Sequence, residues 1–173
     1  MPGHGEGARM LLHLPTPEDT LALGAALGLG LAAAAPPVAL LLQGQLGSGK
    51  TTLVRGLVSA LPGAGEAEVS SPSFNLVNLY PTRPQVAHFD LYRQEARPPE
   101  EFDELLGQPG TLFVVEWIDR VEEKLWPDEA LHVKWVPVPS GRALEIRAWG
   151  KAAGGLLKSL APALNHWQKG PAV

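Results

Sequence analysis

Gly44-Gln45-Leu46-Gly47-Ser48-Gly49-Lys50-Thr51 decides the reading of this chain. It fits the phosphate-binding pattern G-x-x-x-x-G-K-[ST], in which glycines let backbone N–H groups turn inward around a polyphosphate. In that pattern Lys50 reaches the β- and γ-phosphates, and the Thr51 hydroxyl is placed to ligate Mg²⁺. The flanks supply the context the motif needs. Val38-Ala39-Leu40-Leu41-Leu42 upstream is an apolar, strand-like run, and Leu53, Val54, Leu57, Val58 and Leu61 downstream recur at helical spacing. Strand, glycine-rich turn and helix N-terminus together favour an anion at the helix start. The expectation is a nucleoside triphosphate site spanning Gly44 to Thr51, with Thr52 continuing it into the helix.

The 173 residues suit one domain with its own core. An apolar share of 45% against 18% charged residues is that of a compact fold rather than a disordered chain. The net charge of −4 argues against a chain that grips nucleic acid alone, which needs a basic face. Any RNA connection is therefore expected to run through partner proteins. With no cysteine there is neither disulfide nor thiolate metal site, which fits a reducing cytosol and leads to a cytoplasmic expectation.

Leu21 to Leu42 carries no charge and is long enough to span a bilayer. Pro36-Pro37 breaks it, however, and its second half feeds the phosphate loop. Upstream, Thr16-Pro17-Glu18-Asp19 reads as a helix start, with Thr16 as cap and the acids at the positive helix end. Leu23, Leu27 and Leu31 give that helix its apolar stripe, which Gly24, Gly28 and Gly30 are expected to weaken. Strands are expected at Met10 to Leu14, Phe74 to Tyr80, Val86 to Phe89 and Thr111 to Val115, the last a buried parallel type. Leu131 to Val136 and Leu144 to Ala148 alternate as antiparallel strands do, joined by Pro139-Ser140-Gly141. Pro62 to Glu68 reads as a loop, Glu100 to Leu106 as a short acidic helix, and Leu157, Leu160 and Leu164 as a closing helix. The fold class is α/β: a single P-loop NTPase-like domain over 10–165, with a mixed sheet of parallel core and antiparallel strands flanked by helices. Residues 1–9 and 166–173 are expected to be flexible termini.

A phosphate loop needs an acid at the end of a neighbouring apolar strand to organise Mg²⁺ and the attacking water. Glu116 closes Leu112-Phe113-Val114-Val115, and Asp90 closes Val86-Ala87-His88-Phe89. Strand C-terminal ends gather at the phosphate site in open α/β sheets, so both acids are candidates. Spacing does not divide metal-organising from nucleophile-orienting roles between them. Ser70-Ser71-Pro72-Ser73 is placed to act as a switch-like loop over the γ-phosphate, or is an ordinary Ser-Pro turn. Trp117 either fixes Glu116 or packs, and His88 reads as a strand residue rather than a ligand. Tyr92-Arg93 serves phosphates, a partner surface, or a loop start. No N-K-x-D base-reading sequence is present, which disfavours a standard GTPase.

Taken together, these segments resemble the TsaE (YjeE) family of bacterial ATPases. The resemblance rests on Gly44 to Thr52, Ser71-Pro72-Ser73-Phe74-Asn75-Leu76-Val77, His88-Phe89-Asp90-Leu91-Tyr92-Arg93 and Glu116-Trp117, in that order, with Leu14 to Gly24 similar to the family's first helix. It implies an Mg²⁺-dependent ATPase needed to make threonylcarbamoyladenosine on tRNA. The transfer itself falls to TsaD with TsaB, which this chain would bind and reset, touching tRNA only through that complex. By carry-over Lys50 and the loop hold phosphates, Thr51 and Glu116 organise Mg²⁺, Asp90 supports hydrolysis, and Ser73 belongs to the switch-like loop. Thr20 and its neighbours would border the adenine. Gln45, Ser73 and Asn78 depart from the family's usual acid, threonine and glutamate. Two other readings are a small P-loop kinase acting on a metabolite and a non-hydrolysing, ATP-gated binding module.

Overall fold

The computed structural model describes residues 7–72, 75–95 and 97–168. Among them, seven strands form one sheet: β1 (Arg9–Leu14), β2 (Ala39–Gln43), β3 (Val77–Tyr80), β4 (Gln85–Asp90), β5 (Thr111–Glu116), β6 (Ala130–Val136) and β7 (Arg142–Trp149). Their spatial order is β1-β7-β6-β2-β5-β4-β3. The inner pairs β6–β2, β2–β5 and β5–β4 are parallel, and β1–β7, β7–β6 and β4–β3 are antiparallel. The mixed sheet with a parallel core is therefore present as the alternation and the apolar runs predict.

Residue parity divides the molecule into two layers. Leu40, Leu42, Val86, Leu112, Val114 and Val133 point to one face, where helices α1 (Pro17–Ala33), α2 (Lys50–Ser59) and α4 (Lys151–Leu164) cover them. Leu41, Ala87, Phe89, Phe113 and Val115 point to the other, against Phe102 of the short helix α3 (Glu100–Leu105). There Phe89, Phe102 and Phe113 meet with ring centroids 4.7–5.4 Å apart, edge-on or tilted as aromatic quadrupoles prefer.

Helix α1 begins as its sequence dictates. Thr16 caps it by accepting from the Asp19 N–H, Asp19 answers by accepting from the Thr16 N–H, and Pro17 occupies the first turn. Its glycines, unfavourable for the helix itself, let it pack. A Cβ on Gly24 or Gly28 would come under 3.0 Å from backbone atoms of Leu53 or Leu57, and one on Gly56 would do the same to Leu21. Helices α1 and α2 thus touch backbone to backbone. Because α2 starts at Lys50, this contact fixes the height of the phosphate loop.

Three further differences concern boundaries. Phe74 lies outside the described residues, Asn75 and Leu76 form a bend, and β3 begins at Val77. The Pro62 to Glu68 loop contains one short 3₁₀ turn, Ala64–Glu66. The start of the segment expected to be a flexible 166–173 tail is packed. Trp167 is 7% exposed, its indole N–H donates to Asp19 Oδ1 at 3.0 Å, and Gln168 bridges Leu12. An apolar ring with a ready acceptor outweighs the entropy of a loose end. No helix of the described residues is long and apolar enough to cross a membrane; α1 ends at Ala33, ahead of Pro36-Pro37.

Candidate functional site

The parallel register assembles the site. Asp90 of β4 pairs with Glu116 of β5, and Glu116 pairs with Leu42 of β2, so the C-terminal ends of three adjacent strands stop at one level. The chain leaving β2 runs through Gly44 to Gly49 and enters α2 at Lys50. Gly47 (φ 73°) and Gly49 (φ 111°) take left-handed conformations that a side chain would strain. Leu46 at the loop tip is 70% exposed. Thr51 and Thr52 follow on the first turn of α2, whose N-terminus adds its partial positive charge.

Lys50 is 5% exposed and lies along the loop, its ammonium donating to the carbonyls of Gly44 at 2.5 Å and Gln45 at 2.9 Å. It also stands 4.2 Å from the Trp117 ring centroid, a cation–π contact. Burial pulls the lysine's pKa down, while the carboxylates of Glu116, Asp90 and Asp119 oppose that pull. Trp117 itself holds a left-handed backbone (φ 61°, ψ 40°) directly after Glu116. For a bulky residue that conformation costs of order 1–3 kcal/mol. Its ring packs on Tyr92 at 4.7 Å, with Arg120 at 5.5 Å. Tyr92 therefore belongs to an aromatic wall beside the lysine.

The two candidate acids have different neighbours. Glu116 is 2% exposed, and its Oε1 accepts the Thr51 hydroxyl at 2.9 Å. Asp90 accepts the Ser71 hydroxyl on Oδ2 and the Tyr92 N–H on Oδ1 at 2.9 Å. The structure thus brings Lys50, Thr51 and Glu116 together, and ties Asp90 to the Ser70–Pro72 segment. Ser73 lies outside the described residues. Thr20 is 2% exposed, with its methyl 3.7 Å from where a Cβ on Gly49 would stand, so it backs the loop from below.

A cavity of about 420 Å³ opens on the β6 side of the loop, lined by Gln45, Trp117, Asp119, Trp135, Val138 and Arg142 among others. That is the size of a small-molecule site. Arg142 braces the loop by donating to the carbonyls of Ser48 at 3.0 Å and Gly47 at 3.3 Å. Trp135 Nε1 is buried without a hydrogen-bond partner. Sequence reasoning missed Arg142, Trp135 and Asp119, because none carries a motif: the β6–β7 hairpin brings Trp135 and Arg142 to the loop, and the 3₁₀ turn after β5 brings Asp119. It also missed the partner of Glu116 on its other side, His88.

The phosphate loop, the strand-end acids and the seven-stranded mixed sheet are the features of a P-loop NTPase fold. The chain matches, over residues 14–143, the family model described as threonylcarbamoyl adenosine biosynthesis protein TsaE.

The chain belongs to the TsaE family.

Similar relatives agree with this membership. The tRNA threonylcarbamoyladenosine biosynthesis protein TsaE of Aquifex aeolicus is 41% identical over 80 residues, covering 46% of this chain and 56% of that protein. The Mycobacterium tuberculosis protein of the same name is 36% identical over 123 residues, covering 65% of this chain and 70% of its own. The crystal structure of Bacillus subtilis YdiB superimposes with a TM-score of 0.72 at 25% identity, covering 93% of this chain and 99% of that one. The structural likeness spans nearly the whole of both chains, the antiparallel β1–β7–β6 portion as well as the loop.

Proposed function

We propose that this chain is an Mg²⁺-dependent ATPase of the cytoplasm, an accessory subunit that supports turnover of a TsaB–TsaD complex in forming threonylcarbamoyladenosine on tRNA. The pathway comes from the names of the relatives. The chemistry rests on one observation: Thr51 Oγ1 and Glu116 Oε1 meet at 2.9 Å beneath a loop that holds the Lys50 ammonium.

The donor set suits the ion. Mg²⁺ is a hard cation that takes oxygen ligands and is bound beside nucleotides through one or two protein groups, phosphate oxygens and water. One hydroxyl and one carboxylate meet that need, and among the described residues no group of three or more His, Asp or Glu offers an all-protein cage. When bound, the ion would neutralise phosphate charge as the terminal bond breaks. The chain's own groups supply the rest. The loop's N–H groups and the α2 N-terminus hold the phosphates, and Lys50 exchanges its two loop carbonyls for phosphate oxygens. Asp90, held beside the Ser70–Pro72 segment, supports the attacking water. The cavity beside Trp135 and Arg142 has room for the nucleoside.

ADP release measured with and without TsaB and TsaD tests the proposal. Release should rise when both are present, and multi-turnover tRNA modification should require this chain. Unchanged modification in its absence would count against the accessory role, and no ADP under either condition would leave only a binding module.

A further inference from the structure

His88 is fully buried on β4, two residues before Asp90 and on the same face of the sheet. Its ring bridges two elements. Nε2 lies 3.0 Å from Glu116 Oε1, the same oxygen that accepts the Thr51 hydroxyl, and Nδ1 lies 3.0 Å from the Tyr80 hydroxyl. The Tyr80 oxygen in turn is 3.1 Å from the Ser70 carbonyl, which also receives the Asn78 amide at 3.1 Å.

The proton inventory fixes the direction of the key bond. An ionised carboxylate only accepts, so the nitrogen facing Glu116 must carry hydrogen. If His88 is neutral, Nδ1 is the acceptor and the Tyr80 O–H donates to it, leaving Ser70 to the Asn78 amide. If it is protonated, Nδ1–H donates to the Tyr80 oxygen, whose own O–H donates to the Ser70 carbonyl. In both cases Nε2–H donates to Glu116. Burial pushes the Tyr80 phenol up, so its proton stays available.

We infer that His88 is the positioning residue for Glu116, orienting its carboxylate toward Thr51 and the Mg²⁺ of the nucleotide site through an Nε2–H bond, with Tyr80 fixing the ring from behind. A ligand carboxylate held by one neighbour rotates, whereas one held by a second buried donor presents a fixed edge. Outer partners of this kind are typically worth 10- to 100-fold in metal affinity. With His88 protonated the chain of bonds runs on through Tyr80 to the Ser70 carbonyl and ties Glu116 to the Ser70–Pro72 segment; with it neutral the chain ends at Tyr80. The inference rests on the nucleotide-site reading above.

Two substitutions of near-equal size and polarity separate positioning from packing. In His88→Gln the side-chain amide reaches the Nε2 position and keeps the donor. In His88→Asn it stops at the Nδ1 position and loses it. ADP affinity is measured by calorimetry in EDTA and over a series of Mg²⁺ concentrations, on variants whose circular dichroism and thermal unfolding show them folded. His88→Asn should raise the Mg²⁺ concentration at half-effect at least tenfold, with ADP affinity in EDTA within about twofold of wild type. His88→Gln should stay within about threefold of wild type on both measures. Equal Mg²⁺ dependence in both variants, whether unchanged or equally weakened, would overturn the assignment. So would a parallel fall of metal-free ADP affinity in His88→Asn. If neither variant folds, Tyr80→Phe carries the test: freeing the ring should raise the Mg²⁺ requirement, and an unchanged one would overturn the assignment. A wild-type chain that binds no ADP even in EDTA would refute the nucleotide-site reading instead.

Discussion

Lys50 and Glu116 stand on opposite sides of Thr51's role, and single substitutions should separate them. Lys50→Ala removes charge-assisted hydrogen bonds worth about 1.5–3 kcal/mol each, so ATP affinity in a direct binding assay should fall roughly 10- to 100-fold. Glu116→Ala leaves the loop and the lysine in place. Nucleotide binding in EDTA should be largely spared, while ADP release falls by on the order of 10² or more, the scale of losing a positioned catalytic group. Undiminished release would refute the role. Much at this scale was legible: the loop, Thr51 and both strand-end acids follow from local pattern. The split between the acids was not, because it depends on Ser71 reaching Asp90 and His88 reaching Glu116. Parity along β4 puts His88 and Asp90 on one face, but only the β4–β5 register puts Glu116 there, beside Asp90.

Among the elements, the α1–α2 pair shows why composition misleads. Glycines inside a helix cost about 1 kcal/mol each relative to alanine, which is why Gly24 and Gly28 read as weak points. The structure spends that cost on close approach. Gly56→Ala should therefore destabilise despite its better propensity, since the added carbon meets the backbone of Leu21, which cannot swing aside. Overpacking of 1–3 kcal/mol at about 2–4 °C per kcal/mol predicts a thermal midpoint lower by roughly 5 °C. Gly154→Ala in α4, where nothing lies within 4 Å, should instead hold or raise the midpoint. A scanning calorimeter reads both. The strands and α4 were visible as alternation and stripes; the backbone contact was invisible because it depends on the partner helix.

At the level of the whole molecule, stability should carry a pH signature from His132. This ring is 8% exposed on β6, packs edge-on against Trp126 at 4.9 Å and pairs through Nε2 with Gln43 Oε1 at 2.9 Å. Burial pulls its pKa down to about 4 from 6.5. The unfolded chain therefore binds the extra proton first as pH falls. The contribution is fully present above pH 6.5, declines between 6.5 and 4, and is gone below that. At roughly 1.4 kcal/mol per unit the loss is of order 3 kcal/mol, and His132→Phe should flatten this limb of a midpoint-against-pH curve between pH 7.5 and 5. An unaltered slope in the variant would show the ring to be a bystander. The alternating and apolar runs predicted a mixed sheet, but not the strand order, which depends on crossovers that no local pattern records. That order has a practical corollary. Arg9 and Gln168 both lie at the β1 margin, six strand spacings from β3, or roughly 29 Å at 4.8 Å per spacing. A fluorophore or surface tether attached near either of these residues would leave the opposite flank, with Ser70–Pro72 and the Asp90 carboxylate it touches, open to a visiting protein.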